Sequence, residues 1–142
     1  MATFNKFNAF VEHLAEKTHN LGSDTLRVAL VESPAPLATN SVLADLTVVS
    51  TTNVSPTSSL ILSPSSSAQT SGTYKLTVGD NTITAANGSV GPFRYVVIYN
   101  DTAVSPVDAL IGWYDYGSSI TLATGETLTL DFDQANGLLT LA

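Results

Sequence analysis

Pro92-Phe93-Arg94-Tyr95-Val96-Val97-Ile98-Tyr99-Asn100 and Leu110-Ile111-Gly112-Trp113-Tyr114-Asp115-Tyr116-Gly117 are the two stretches whose reading decides the fold. Successive side chains of a strand point to opposite faces. In both runs apolar and aromatic residues occupy odd and even positions alike, so both are expected to be central strands covered on each side. Outward from them, Ser119 to Leu122 is a short strand and Thr127-Leu128-Thr129-Leu130-Asp131-Phe132-Asp133 alternates strictly, which predicts a strand with one covered face. Gln134-Ala135-Asn136-Gly137 carries turn chemistry and is expected to fold that strand back on Leu138 to Leu141 as a hairpin.

Upstream, Tyr74, Leu76 and Val78 share a face of the run Thr73 to Val78, and Asp80-Asn81 and Asn87-Gly88 bracket a strand over Thr82 to Ala85. Thr25 to Glu32 alternates with Leu26, Val28 and Leu30 on one face, and Ser33-Pro34-Ala35-Pro36 ends it because proline cannot donate to a ladder. Val42 to Leu46 reads as one helical turn or a pinned loop, and Thr47 to Thr51 and Leu60 to Leu62 as short strands. The Ser/Thr/Pro-rich segment around 48–66, including Ser55-Pro56-Thr57 and Ser63-Pro64-Ser65, is expected to be irregular.

Before the first strand, Phe4, Phe7, Phe10, Val11, Leu14 and Leu21 recur at three- and four-residue steps, with Lys6, Glu12, His13, Glu16 and Lys17 between them. This spacing predicts an amphipathic helix over about residues 4–19, capped by Thr3 or Asn5 and leaving through Asn20-Leu21-Gly22. Together these elements predict a mainly β protein: an antiparallel β-sandwich or barrel with one N-terminal amphipathic α-helix, as a single domain spanning residues 1–142.

Composition narrows the function classes. Charged residues are only 12% of the chain, about half the usual ~25%, and threonine and serine take their place. A surface wetted by hydroxyls sheds water at lower cost on contact than one wetted by ions. Twelve acidic residues against five basic ones leave a net charge of −7, and Lys6, Lys17, Arg27, Lys75 and Arg94 are scattered. That distribution argues against a nucleic-acid partner. There is no cysteine, which excludes disulfide staples and thiolate metal sites. The first ten residues lack the apolar core of a signal peptide and no run is long enough to span a bilayer, so synthesis in a cytoplasm and no membrane partner are expected.

Candidate chemistry is sparse. His13 and His19 stand six apart, which on one helix places them on opposed faces; both are expected to be solvated. No serine lies in a Gly-x-Ser-x-Gly elbow. Asp131 and Asp133 fall on one strand face, and with Asp115 or Glu126 they could bind calcium or act as an acid–base pair. The run Asp131 to Gly137 lacks the third acid and the distal glutamate of a calcium loop, so a solvated polar face is the expected reading. The aromatics Phe93, Tyr95, Tyr99, Trp113, Tyr114 and Tyr116 are expected to be core, with a subunit interface and a sugar-binding platform, the latter at Trp113 to Tyr116, as the alternatives. Asn53, Asn87 and Asn100 each begin an Asn-x-Ser/Thr tripeptide and are read as chance matches. No enzymatic activity, cofactor or metal is expected.

Two sets of residues resemble a family of small tailed-bacteriophage virion structural proteins. The first is Phe7-Asn8-Ala9-Phe10-Val11-Glu12, His19-Asn20-Leu21-Gly22-Ser23-Asp24-Thr25-Leu26-Arg27-Val28-Ala29-Leu30 and Ala38-Thr39-Asn40-Ser41-Val42-Leu43-Ala44-Asp45. The second is Ser67-Ala68-Gln69-Thr70-Ser71-Gly72-Thr73-Tyr74-Lys75-Leu76, Gly91-Pro92-Phe93-Arg94-Tyr95, Asn100-Asp101-Thr102, Leu110-Ile111-Gly112-Trp113 and Asp115-Tyr116-Gly117-Ser118-Ser119-Ile120-Thr121-Leu122. The similarity covers most of the chain except the serine-rich stretch between Val48 and Ser66, where the family's glycine-rich, aromatic segment is lacking. The resemblance implies a capsid decoration (cement) protein on the capsid exterior of the virion, with the major capsid protein and further copies of itself, as a homotrimer, for partners. Its alternative is a tail, baseplate or fibre-associated structural or host-binding module. The residues expected to make contacts are Phe4, Phe7, Pro56, Leu60 and Pro64.

Overall fold

The structure is a computed structural model that describes residues 2–142. Its ten strands are β1 (Phe4–Lys6), β2 (Leu26–Val31), β3 (Ile61–Leu62), β4 (Pro64–Thr70), β5 (Thr73–Val78), β6 (Asn81–Thr84), β7 (Val90–Val104), β8 (Val107–Leu122), β9 (Thr127–Leu130) and β10 (Leu139–Leu141). One helix, α1 (Ala9–Ala15), follows β1, and short 3-10 turns lie at Leu43–Asp45 and Thr57–Leu60.

The five-stranded sheet has the order β1-β8-β7-β2-β3, with every pair antiparallel. β7 is its middle strand, with Val97 opposite Ala29 on one side and opposite Trp113 on the other. Both faces are covered, as the mixed parity predicts. On one face Val28, Leu30, Val96, Ile98 and Ile111 join the larger core; on the other Ala29, Val31, Val97, Tyr99 and Leu110 pack with Phe7 and are roofed by Leu43, Leu46 and Trp113. The larger core is closed by a second layer in two pieces, β10-β5-β4 and β6-β9, which contribute Leu76, Val78, Ile83, Leu130 and Leu139. The result is a sandwich and not a closed barrel.

Several expectations need correction. The predicted helix over 4–19 shrinks to Ala9–Ala15 because Phe4–Lys6 pairs with Tyr114–Gly112 along the edge of β8. An edge strand offers a row of unpaired backbone groups, and satisfying them outweighs a helical turn that would be solvated on one side. Lys17 then takes a left-handed conformation (φ 67°) and the chain folds back, with the Thr18 amide donating to the His13 carbonyl at 2.8 Å. Gly112 admits this arrangement. A Cβ there would lie 2.7 Å from the Asn5 carbonyl oxygen and overlap the Phe4 ring.

The expected hairpin over 127–141 does not form. β9 pairs with β6 and β10 pairs with β5, so the turn at Gln134–Gly137 joins two separate sheets. The strand predicted to run to Asp133 stops at Leu130. The irregular stretch 48–66 is more ordered than its composition suggests, holding a 3-10 turn, β3 and the start of β4; Thr47 to Thr51 is limited to a single bridge from Val48 to Val31. β4 carries no burial signal, because all seven of its residues are exposed at the edge of its sheet.

Candidate functional site: a slot in the divided layer

Since β9 and β10 do not pair, the second layer is open between them, and the connection from Asp131 to Leu138 spans the gap. Phe132 and Leu138 anchor this connection in the core. Beneath the gap lies a cavity of about 600 Å3. Its floor is the large sheet: Phe4 from β1, Phe93 and Val96 from β7, and Tyr114 from β8. Its walls are Leu128 and Leu130 of β9 and the connection itself, with Tyr116, Asp131 and Asp133 at the opening.

The aromatic lining is held by mutual packing. Tyr114 lies 5.5 Å from Phe4 and 6.1 Å from Phe132 between ring centroids. Burial, reinforced by the nearby Asp133 charge, pushes the Tyr114 hydroxyl up to about 12, so it is neutral and able to donate at any physiological pH. Asp133 is the organiser of the turn. Its carboxylate accepts from the backbone amides of Asn136 at 2.8 Å and Ala135 at 2.9 Å and from the Asn136 side-chain amide at 2.7 Å. These bonds, with a contribution from Lys75, hold it below the usual carboxylate range, so the opening carries fixed negative charge. Gly137 completes the turn at φ 84°, where a Cβ would come within 2.8 Å of the Leu76 carbonyl oxygen.

A second polar centre links the reversed chain after α1 to β7. Asn100 Oδ1 accepts from the amides of Thr102 at 2.9 Å and Ala103 at 3.2 Å, which fixes its Nδ2 as the donor. That Nδ2 reaches Asp24 Oδ2 at 2.6 Å and His19 Nδ1 at 3.1 Å. His19 Nδ1 must therefore accept, placing the proton of the neutral ring on Nε2, which is buried without a partner among the described residues. The expectation that both histidines are solvated is corrected here: His19 is only 5% exposed and lies 5.9 Å from the His13 ring, because the helix ends before it. Burial first, then the neighbouring His13, lowers its pKa from 6.5 to about 4 against the opposing pull of Asp24.

The remaining sequence candidates separate. Asp115 is taken by Arg94 in a two-bond pair at 2.7 and 2.9 Å, and Glu126 accepts from the Ala123 amide at 2.7 Å. Neither joins Asp131 and Asp133, and among the described residues no group of three His, Asp or Glu is placed to hold a metal. Trp113 and Tyr114 sit on opposite faces of β8. Trp113 packs 4.5 Å from Phe7 in the smaller core, so the platform considered over Trp113 to Tyr116 is divided between two faces. Of the five contact candidates, Phe7 and Leu60 are buried in the chain's own cores and offer no surface to a partner. Phe4 is half-buried at the slot, whereas Pro56 and Pro64 are exposed. Sequence reading passed over Val104 and Val107, which face each other at the tip of the β7–β8 hairpin and are 82% and 61% exposed. Their isolation from the main apolar runs was the available signal.

Comparison with family models, with curated proteins and with solved structures returned no match. Among the described residues no helix is long and apolar enough to cross a membrane.

Proposed function

We propose that this protein is a bacteriophage capsid decoration protein that docks, as a homotrimer, on the outer surface of the major capsid protein lattice and stabilises the head. The observation that carries the reading is the β7–β8 hairpin. Its strands of 15 and 16 residues are rooted in both cores, yet they end in a pair of exposed valines. An apolar tip braced by Thr25 at Thr102 and by Thr18 at Ser105 suits contact with a lattice subunit. The uncharged β4 edge adds a surface whose hydroxyls give up water at little cost. The family resemblance supplies the lattice as the partner.

The energetics of such a protein are additive. Each contact is small, but an oligomer bridging several coat subunits makes the later contacts intramolecular, and avidity holds the shell against internal pressure. A closed ring requires one interface repeated between copies. The test is a mass-spectrometric count of copies per purified virion. Hundreds of copies support decoration. A handful overturns it and moves the protein to the tail, baseplate or fibre.

A further inference from the structure

We infer that the slot between β9 and the Asp131–Leu138 connection is a docking site for a partner-protein segment that inserts one bulky apolar side chain flanked by lysine or arginine. This inference rests on the decoration reading only for the identity of the protein that supplies the segment, the coat subunit.

Three observations lead there. First, the slot exists because the second layer is divided, and it is bounded by both layers of the sandwich. Phe4, Tyr114 and Leu128 are only half-buried around it, leaving apolar and aromatic surface that the chain itself does not cover. About 600 Å3 accommodates a large side chain together with part of its backbone. Second, the charge is one-sided. Asp131 and Asp133 stand at the opening and no lining residue is basic; the one cation beside the turn, Lys75, donates to the Ala135 carbonyl at 2.9 Å and offsets part of the Asp133 charge, leaving Asp131 unopposed by any lining group. The molecule as a whole carries −7. A cation next to the inserted group is therefore drawn in and an anion repelled. Third, the deep lining is too apolar for a sugar. Phe93, Val96, Leu130, Phe132 and Leu138 would meet hydroxyls without returning hydrogen bonds, and each unpaired polar group is costly to bury.

The probes are three short peptides titrated into the isotope-labelled full chain and followed by NMR at the methyl groups of Leu128, Leu130 and Leu138: acetyl-Lys-Phe-Lys-amide, acetyl-Lys-Ala-Lys-amide and acetyl-Glu-Phe-Glu-amide. The first is expected to give saturable shifts confined to the slot. Losing the aromatic ring should weaken binding roughly tenfold or more. Reversing the peptide charges should weaken it by about threefold or more. Asp131→Lys changes an exposed residue and leaves the fold in place; it should narrow or invert the preference between the two phenylalanine peptides. Equal response to all three peptides, shifts that map elsewhere, or no shift overturns the inference.

A second arm separates it from the functional reading. Wild-type protein and Asp131→Lys are sedimented with empty capsid shells. Loss of cosedimentation in Asp131→Lys alone supports the coat subunit as the donor of the segment, whereas equal cosedimentation of the two overturns that assignment. Wild-type protein that stays in solution removes the decoration reading, and the peptide result then decides the slot by itself.

Discussion

Acidification from pH 7.5 to 5 should cost this protein about 2 kcal/mol of folding stability through one side chain, His19. The imidazole is buried and its Nδ1 accepts from Asn100 Nδ2, whose orientation is fixed by two backbone amides. Protonation would place a charge in the interior and beside His13, which is why the pKa falls from 6.5 to about 4 despite Asp24. A base whose folded pKa is depressed binds fewer protons folded than unfolded within that window. Its contribution is complete above pH 6.5 and is lost as the pH falls toward 4. At about 1.4 kcal/mol per unit the whole shift corresponds to roughly 3 kcal/mol, of which ~2 is spent by pH 5. Asp45, Asp115 and Asp133 are held below 3.8 and lose their contribution only at lower pH; Asp108, raised by burial, works in the opposite direction. Urea unfolding at a series of pH values is the assay. With a slope of about 2 kcal/mol/M the midpoint should fall by about 1 M between pH 7.5 and 5. His19→Gln retains an acceptor for Asn100 without the titration and should flatten the profile. A midpoint that does not move in the wild type, or moves equally in His19→Gln, refutes the argument.

Phe7→Ala empties the centre of the smaller core, where the ring is fully buried 4.5 Å from Trp113, and is expected to cost about 3–5 kcal/mol in urea unfolding. Gly112→Val should displace β1 from β8, because the new Cβ meets the Asn5 carbonyl; accelerated amide exchange at residues 4–6, with β2 and β7 protected, is the readout. Val104→Asp with Val107→Asp should leave the unfolding midpoint within about 0.5 kcal/mol of wild type, as exposed sites do, while abolishing cosedimentation with shells. Unchanged cosedimentation would remove the hairpin tip from the docking surface.

What was legible in the chain follows from the range over which its signals act. The central strands could be read because parity is a local property: Val96, Val97, Ile98 and Tyr99 declare two covered faces without reference to any partner. The same rule separates Trp113 from Tyr114, and applied strictly it would have dismissed the four-residue aromatic platform. The helix was overextended because Phe4, Phe7 and Phe10 repeat at three residues, a spacing that fits a helical stripe and also a chain passing around a sheet edge. Phe7 enters the smaller core and Phe10 the larger. β4 was missed because all its residues face water and its only signal is backbone pairing with β5.

By itself, the sequence determined a β-rich chain with a two-faced central sheet, a hydroxyl-clad acidic surface and a turn at Gln134–Gly137, since each rests on residue identity or on spacing within a few positions. Tertiary structure alone decided that β9 and β10 belong to different sheets, that His19 is buried against Asn100, and that Phe4 and Tyr114 meet Asp131 and Asp133 around a slot. Each of these joins segments far apart in the chain. The pattern of one segment records how much of it is covered but not which distant segment does the covering, and the slot is a property of that choice.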